Sequence, residues 1–182
     1  MAAADLGARI AVVGNSGSGK TTVAARLARA LGCPHVELDA LYWGPNWTAV
    51  PVEEFHRRLD QRLSEPAWVA DGNYWGSSAG RHIRRAQTLV WLDYPLRTIL
   101  WRLLLRIIRR GLTREELWSG NREVMWRHFF TRDSLLLWAL GSHGRRRRLY
   151  AGLTGQSGYE HLRVIRLRSP SETRRFLASL EG

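Results

Sequence analysis

The chain has 182 residues, 45% of them hydrophobic, and a formal net charge of +12. That length suffices for one domain with a sizeable core, and the chain holds no run of about 18 uncharged apolar residues that would span a membrane. The start MAAADLGA lacks a basic segment and a long apolar run, so no secretory signal is expected; the single cysteine, Cys33, excludes an internal disulfide and fits a reducing cytoplasm.

Arg9–Val13 reads as a short buried strand. It runs into Gly14, Asn15, Ser16, Gly17, Ser18, Gly19, Lys20, Thr21 and Thr22, whose first eight residues fit G-x-x-x-x-G-K-[ST], and then into a helix expected over Gly19–Leu31. Glycines in such a loop let backbone N–H groups curl around an anion, and the helix N-terminus adds favourable partial charge. Lys20 is the chain's one lysine among 28 Lys and Arg residues. A compact, mobile ammonium is placed where nucleotide phosphates are to be met, and arginine serves everywhere else.

Further strands are expected at His35–Leu38, Trp68–Ala70, Thr88–Leu92 and Leu162–Leu167. Further helices are expected at Val52–Leu63, Leu96–Arg110, Arg122–Leu140 and Ser171–Leu180. Pro51 with Glu53 and Glu54 makes a good helix start, as does Ser171 with Glu172. Strands alternating with helices imply right-handed crossovers and a parallel sheet covered on both faces. Asp39, Asp71 and Asp93 stand at strand ends, where open α/β sheets bind ligands. Before the last strand lie about fifty residues beyond the dozen or more that a crossover needs. That insertion, rich in helix and arginine, reads as a lid.

With these residues placed, GNSGSGKTT, Trp68–Asn73 and Leu89–Pro95 together resemble the adenylate-kinase-like branch of P-loop kinases. More closely, Glu37–Trp47, Asp71–Tyr74, Gly120–Glu123 and Arg132–Ala139 are similar to bacterial DNA topology modulation (FlaR-like) proteins, a kinase-like family named for a phenotype. The resemblance covers nearly the whole chain. It implies one three-layer P-loop domain over 1–182, with a five-stranded parallel sheet in the order 2-3-1-4-5. Residues 40–66 become an acceptor-binding region and 96–150 an arginine-rich lid. True adenylate kinases follow Asp-Gly with Phe-Pro-Arg, whereas here Asn73-Tyr74-Trp75 follows. A phosphate-gripping cation has to come from elsewhere, with Arg81 the candidate, and a nucleoside monophosphate acceptor is put in question.

Phosphoryl transfer needs positioning and charge neutralisation. Lys20 is expected to bridge the β- and γ-phosphates of ATP, with Thr21 and Asp71 as Mg²⁺ ligands. Asp39 is expected to receive the acceptor's proton, or else to cap a turn. Tyr42, Trp43, Trp47, Tyr74 and Trp75 form either acceptor walls or core. Arg102, Arg106, Arg109 and Arg110 share one helical face, from which Arg106 and Arg110 are candidate catalytic cations. Arg122 and Arg132 are candidate phosphate clamps. By the resemblance, Arg168 lies in the turn near adenine. The run Arg145–Arg148 reads as a solvated helix face, with a nucleic-acid patch as the alternative. The six histidines show no metal-ligand spacing, so no zinc site is expected. The leading reading is a cytoplasmic ATP- and Mg²⁺-dependent kinase acting on a small molecule. A nucleic-acid-associated regulatory nucleotide-binding protein and an NTPase switch stand beside it.

Overall fold

Alternate residues of β1 (Arg9–Gly14) enter separate cores: Ile10 and Val12 on one face of a sheet, Ala11 and Val13 on the other. The computed structural model describes residues 3–74, 80–113, 116–121 and 135–181. In it β1 lies between β3 (Trp68–Asp71) and β4 (Thr88–Leu92), with β2 (His35–Glu37) outside β3 and β5 (Arg163–Leu167) outside β4. All pairs are parallel and the order is β2-β3-β1-β4-β5, the one implied by the sequence resemblance.

One face is covered by α1 (Lys20–Leu31), α5 (Leu96–Thr113) and α7 (Pro170–Glu181), which contribute Leu27, Leu103 and Leu177 to its core. On the other, α3 (Val52–Leu63) and α4 (Arg81–Arg85) meet the far end of α6 (Leu135–Gly152) through Phe55, Leu59, Ile83 and Tyr150. Burial on both faces explains why the strands read as near-continuous apolar runs. No helix among the described residues is long and apolar enough to cross a membrane.

Beyond shifts of one to three residues at element ends, three differences from the sequence reading bear on the site. Strand β2 stops at Glu37, and α2 (Leu38–Tyr42) begins at once, because Leu38 turns fully into the core. Asp39 therefore sits in the first turn of a short helix. The expected helix Arg122–Leu140 is described only from Leu135, and it continues to Gly152. Gly141 and Gly144 lower local helix propensity by about 1 kcal/mol each, but burial of Ala139, Ser142 and Tyr150 overrides them. The third difference is α4, a five-residue turn of helix with no expectation behind it.

Candidate active site

The Gly14–Thr21 segment leaves the C-terminal end of β1 and enters α1. Gly17 has φ +82°, and a Cβ there would meet the Ile99 carbonyl at 3.0 Å, so the loop packs directly on α5. Gly19, at φ +86°, turns the chain into α1, whose N-terminus no side chain caps. Its first backbone N–H groups are thus available to an anion. Ser18 N–H donates to the Asn15 carbonyl (3.0 Å), and the buried Ser18 hydroxyl has no hydrogen-bond partner among the described residues. Asn73 ties down the start of the loop: its Nδ2 donates to the Gly14 carbonyl (2.6 Å) and its Oδ1 accepts from Gly14 N–H (3.4 Å) and from the Tyr150 hydroxyl (2.9 Å).

The Thr21 hydroxyl donates to Asp71 Oδ2 at 2.8 Å. Asp71 is almost fully buried at the end of β3, and His35 Nε2 lies 2.8 Å from its other oxygen. That hydrogen bond raises the imidazole pKa, against the opposing effect of burial. A hydroxyl and a carboxylate beside a phosphate loop are the hard oxygen donors that suit Mg²⁺, which keeps several waters. Two strands from the loop, the Tyr74 hydroxyl donates to Asp39 Oδ1 at 2.6 Å. Burial first, then the Asp39 charge, pushes the Tyr74 phenol above its usual range, so it remains a donor. Glu37 faces the same corner. Burial raises its carboxyl pKa, and a hydrogen bond from Trp118 partly offsets the rise.

Two of the described arginines, Arg102 and Arg146, donate hydrogen bonds to the loop. Arg102 Nη1 donates to the Ser18 carbonyl (2.9 Å), and its guanidinium lies over Tyr94. Arg146 Nη1 donates to Asn15 Oδ1 (3.2 Å), and Ser142 donates to the same atom (3.3 Å). Burial lowers the Arg146 pKa. Arg106 and Arg110 are half-buried, about 6 and 12 Å further along the α5 axis than Arg102. Arg122, Arg132 and Trp75 lie outside the described residues. Arg168 is exposed at the end of β5, where its backbone N–H donates to Glu172 (2.6 Å) at the start of α7. Arg81 is paired with Asp60 on α3 at 2.8 Å, so it is engaged there and not at the loop. Asp93 binds Arg166 (2.5 Å) and Arg147 (3.3 Å), tying β4 to β5 and α6.

The aromatic residues pack edge to face on one another: Tyr42 on Trp43, Trp43 on Trp47, and Trp47 on Trp118. Asn121 clips this group together. Its Oδ1 accepts from Trp47 N–H, and its Nδ2 donates to the Gly44 and Trp118 carbonyls, all within 2.9 Å. Sequence reasoning assigned no role to Asn73, Asn121, His35 or Glu37. It read Arg146 as part of a solvated helix face, whereas the side chain is half-buried and donates to Asn15.

No protein-family model matches the chain, and no curated protein does. Solved structures do. A shikimate kinase from Bacteroides thetaiotaomicron aligns with a TM-score of 0.57 and 15% identity over 96% of this chain and 98% of its own. A gluconokinase from Sinorhizobium meliloti aligns at 0.52 and 19% identity over 95% and 93%. A sugar kinase from a Janibacter species aligns at 0.50 and 21% over 94% and 93%. The likeness is one of fold: the chain has the three-layer α/β fold of P-loop kinases.

Proposed function

We propose that the chain is an ATP- and Mg²⁺-dependent kinase that phosphorylates a hydroxyl of a small acceptor. The observation that carries this reading is the Thr21–Asp71 hydrogen bond at 2.8 Å, formed immediately beside the lysine of the phosphate loop. Lys20 and the α1 N-terminus take the phosphates. Thr21 and Asp71 would hold Mg²⁺, which when bound would supply charge neutralisation on the phosphate oxygens. The acceptor oxygen forms a bond to the γ-phosphorus. The bond from that phosphorus to the β,γ-bridging oxygen breaks, and its electron pair leaves with ADP. The acceptor proton passes to Asp39, which Tyr74 orients. Arg102 and Arg146 hold the loop and offset the charge on the transferring group.

On this reading the whole chain is one kinase domain, with 40–66 against the acceptor and 96–150 as the lid. Arg106, Arg110, Arg122 and Arg132 remain candidate lid cations and Arg168 a candidate adenine contact. The similarity of Asp71–Tyr74 and Gly120–Glu123 to DNA topology modulation proteins is compatible with it, since that name describes no reaction. Transfer of labelled γ-phosphate from ATP to a panel of nucleotides, nucleosides and small alcohols tests the proposal. A product that disappears in Lys20→Ala is expected. ATP turnover insensitive to Lys20→Ala would refute it.

A further inference from the structure

An open cleft of about 650 Å³ lies between Asn73 and one face of α6, lined by Arg145, Arg146, Arg148, Leu149 and Gly152 of that helix and by Gln156 beyond it. Its volume is within the range of small-molecule sites. Helical periodicity explains which arginines reach it. At about 100° per residue, Arg145, Arg148, Leu149 and Gly152 share one side of α6, and Arg147 points the opposite way. There Arg147 meets Asp93, the carboxylate that also binds Arg166. The four-arginine run therefore divides by geometry into one arginine that joins structural elements and three that line a cavity.

Among the described residues, the lining of that cavity contains no carboxylate. Among the described residues, no acid pairs with Arg145 or Arg148. Burial lowers the Arg146 guanidinium pKa, the neighbouring charge of Arg145 lowers it further, and the Asp39 carboxylate works against both. The Arg145 and Arg148 guanidiniums, held beside Leu149, repel one another until an anion joins them. Asn73 links the cleft to the phosphate loop. It lines the cleft and holds Gly14, and the next residue, Tyr74, orients Asp39.

We infer that this cleft binds an anionic group, phosphate or carboxylate, already carried by the acceptor before transfer. The inference rests on the kinase reading for the identity of the bound molecule as acceptor. It narrows that reading to hydroxyl-bearing phosphates or carboxylates and sets aside neutral alcohols. Arg145 and Arg148 grip the resident anion, while Arg146 lies between it and the phosphate loop.

Two arms of one experiment separate the inference from the reading beneath it. In the first, inorganic phosphate is titrated by calorimetry into Lys20→Ala, which removes the loop's ammonium and leaves the cleft untouched. A phosphate site is expected to remain, and adding Arg145→Ala and Arg148→Ala should weaken it about tenfold or more. Both positions are exposed, so circular dichroism should show an unchanged fold, and Arg148→Lys should restore part of the affinity. Absence of a phosphate site in Lys20→Ala, or a site indifferent to both arginines, would overturn the inference. In the second arm, glycerol 3-phosphate and glycerate are compared with glycerol within the transfer panel. Any accepted anionic compound should lose out through a higher acceptor KM in Arg148→Ala, with the KM for ATP unchanged. Transfer to neutral acceptors alone, unaffected by Arg148→Ala, would refute the cleft but keep the kinase. Phosphate binding that follows the arginines without any transfer would refute the kinase but keep the anion site.

Discussion

His82 is fully buried on α4. Burial drives its pKa from 6.5 down to about 4, with the Asp71 charge and the Gly72 backbone opposing. A base whose pKa is depressed on folding binds more protons in the unfolded chain, so stability falls as pH drops from about 6.5 to about 4. A shift of that size amounts to about 3 kcal/mol in full, and roughly 2 kcal/mol of it is expended between pH 7 and pH 5. His35 works in the other direction. Its raised pKa means that the ionised His35–Asp71 pair stabilises at low pH and is lost as pH rises through the folded value. Comparing wild type with His82→Leu cancels the His35 contribution and isolates His82. Urea unfolding at pH 7 and pH 5 should show the variant losing less stability on acidification, by roughly 2 kcal/mol. Any fixed packing cost of leucine offsets both pH values equally. Parallel curves for the two proteins would refute the reasoning, because they would mean that His82 is protonated alike in the folded and unfolded chains.

Asn121→Ala removes three hydrogen bonds and leaves the Trp47 N–H and the Gly44 carbonyl without their partners. It should cost about 1–3 kcal/mol and shift tryptophan emission to the red as Trp43, Trp47 and Trp118 open to water; an unchanged spectrum would contradict the clip. Tyr74→Phe keeps the ring packed against Tyr42 and Phe55 but removes the donor to Asp39. In the transfer assay kcat should fall by roughly tenfold, the scale of one lost charge-assisted hydrogen bond, while ATP affinity stays as in wild type. An equal loss in both would place Tyr74 in the general structure of the site.

The five strands were legible because burial on both faces wrote them as apolar runs, and the loop was legible because its glycines and lysine are required by local geometry. Asp71 was legible as a strand-end acid, whereas Asp39, read as one, sits in the first turn of α2. Their partners were not legible. His35 meets Asp71 only because parallel register sets Glu37 beside Asp71 and His35 beside Val69, and no local pattern encodes the register of two distant strands. Asn73 and Tyr150 are 77 residues apart, and their contact exists only once α6 lies across the end of the sheet. The second half of α6 was hidden by Gly141 and Gly144, which read as breakers until tertiary packing is known. The Arg145–Arg148 run was visible as charge, but only the helix's phase separates Arg147, spent on Asp93, from its cavity-facing neighbours.

That phase has a mechanistic consequence. Transfer moves negative charge from the phosphate loop toward the acceptor, and a group that stabilises only one end would favour reactant or product over the state between them. Arg146 donates to Asn15 within the loop and also lines the cleft, so on the proposed reading one guanidinium would border both anions. Asn15 accepts from Ser16 N–H, Ser142 and Arg146 through one oxygen, while its nitrogen donates to the Ala139 carbonyl. An amide can serve as hub because it both donates and accepts; an isosteric leucine would strand four partners at once. The loop's second residue, unconstrained in the G-x-x-x-x-G-K pattern, is in this chain the joint through which α6 and its Arg146 are held to the loop.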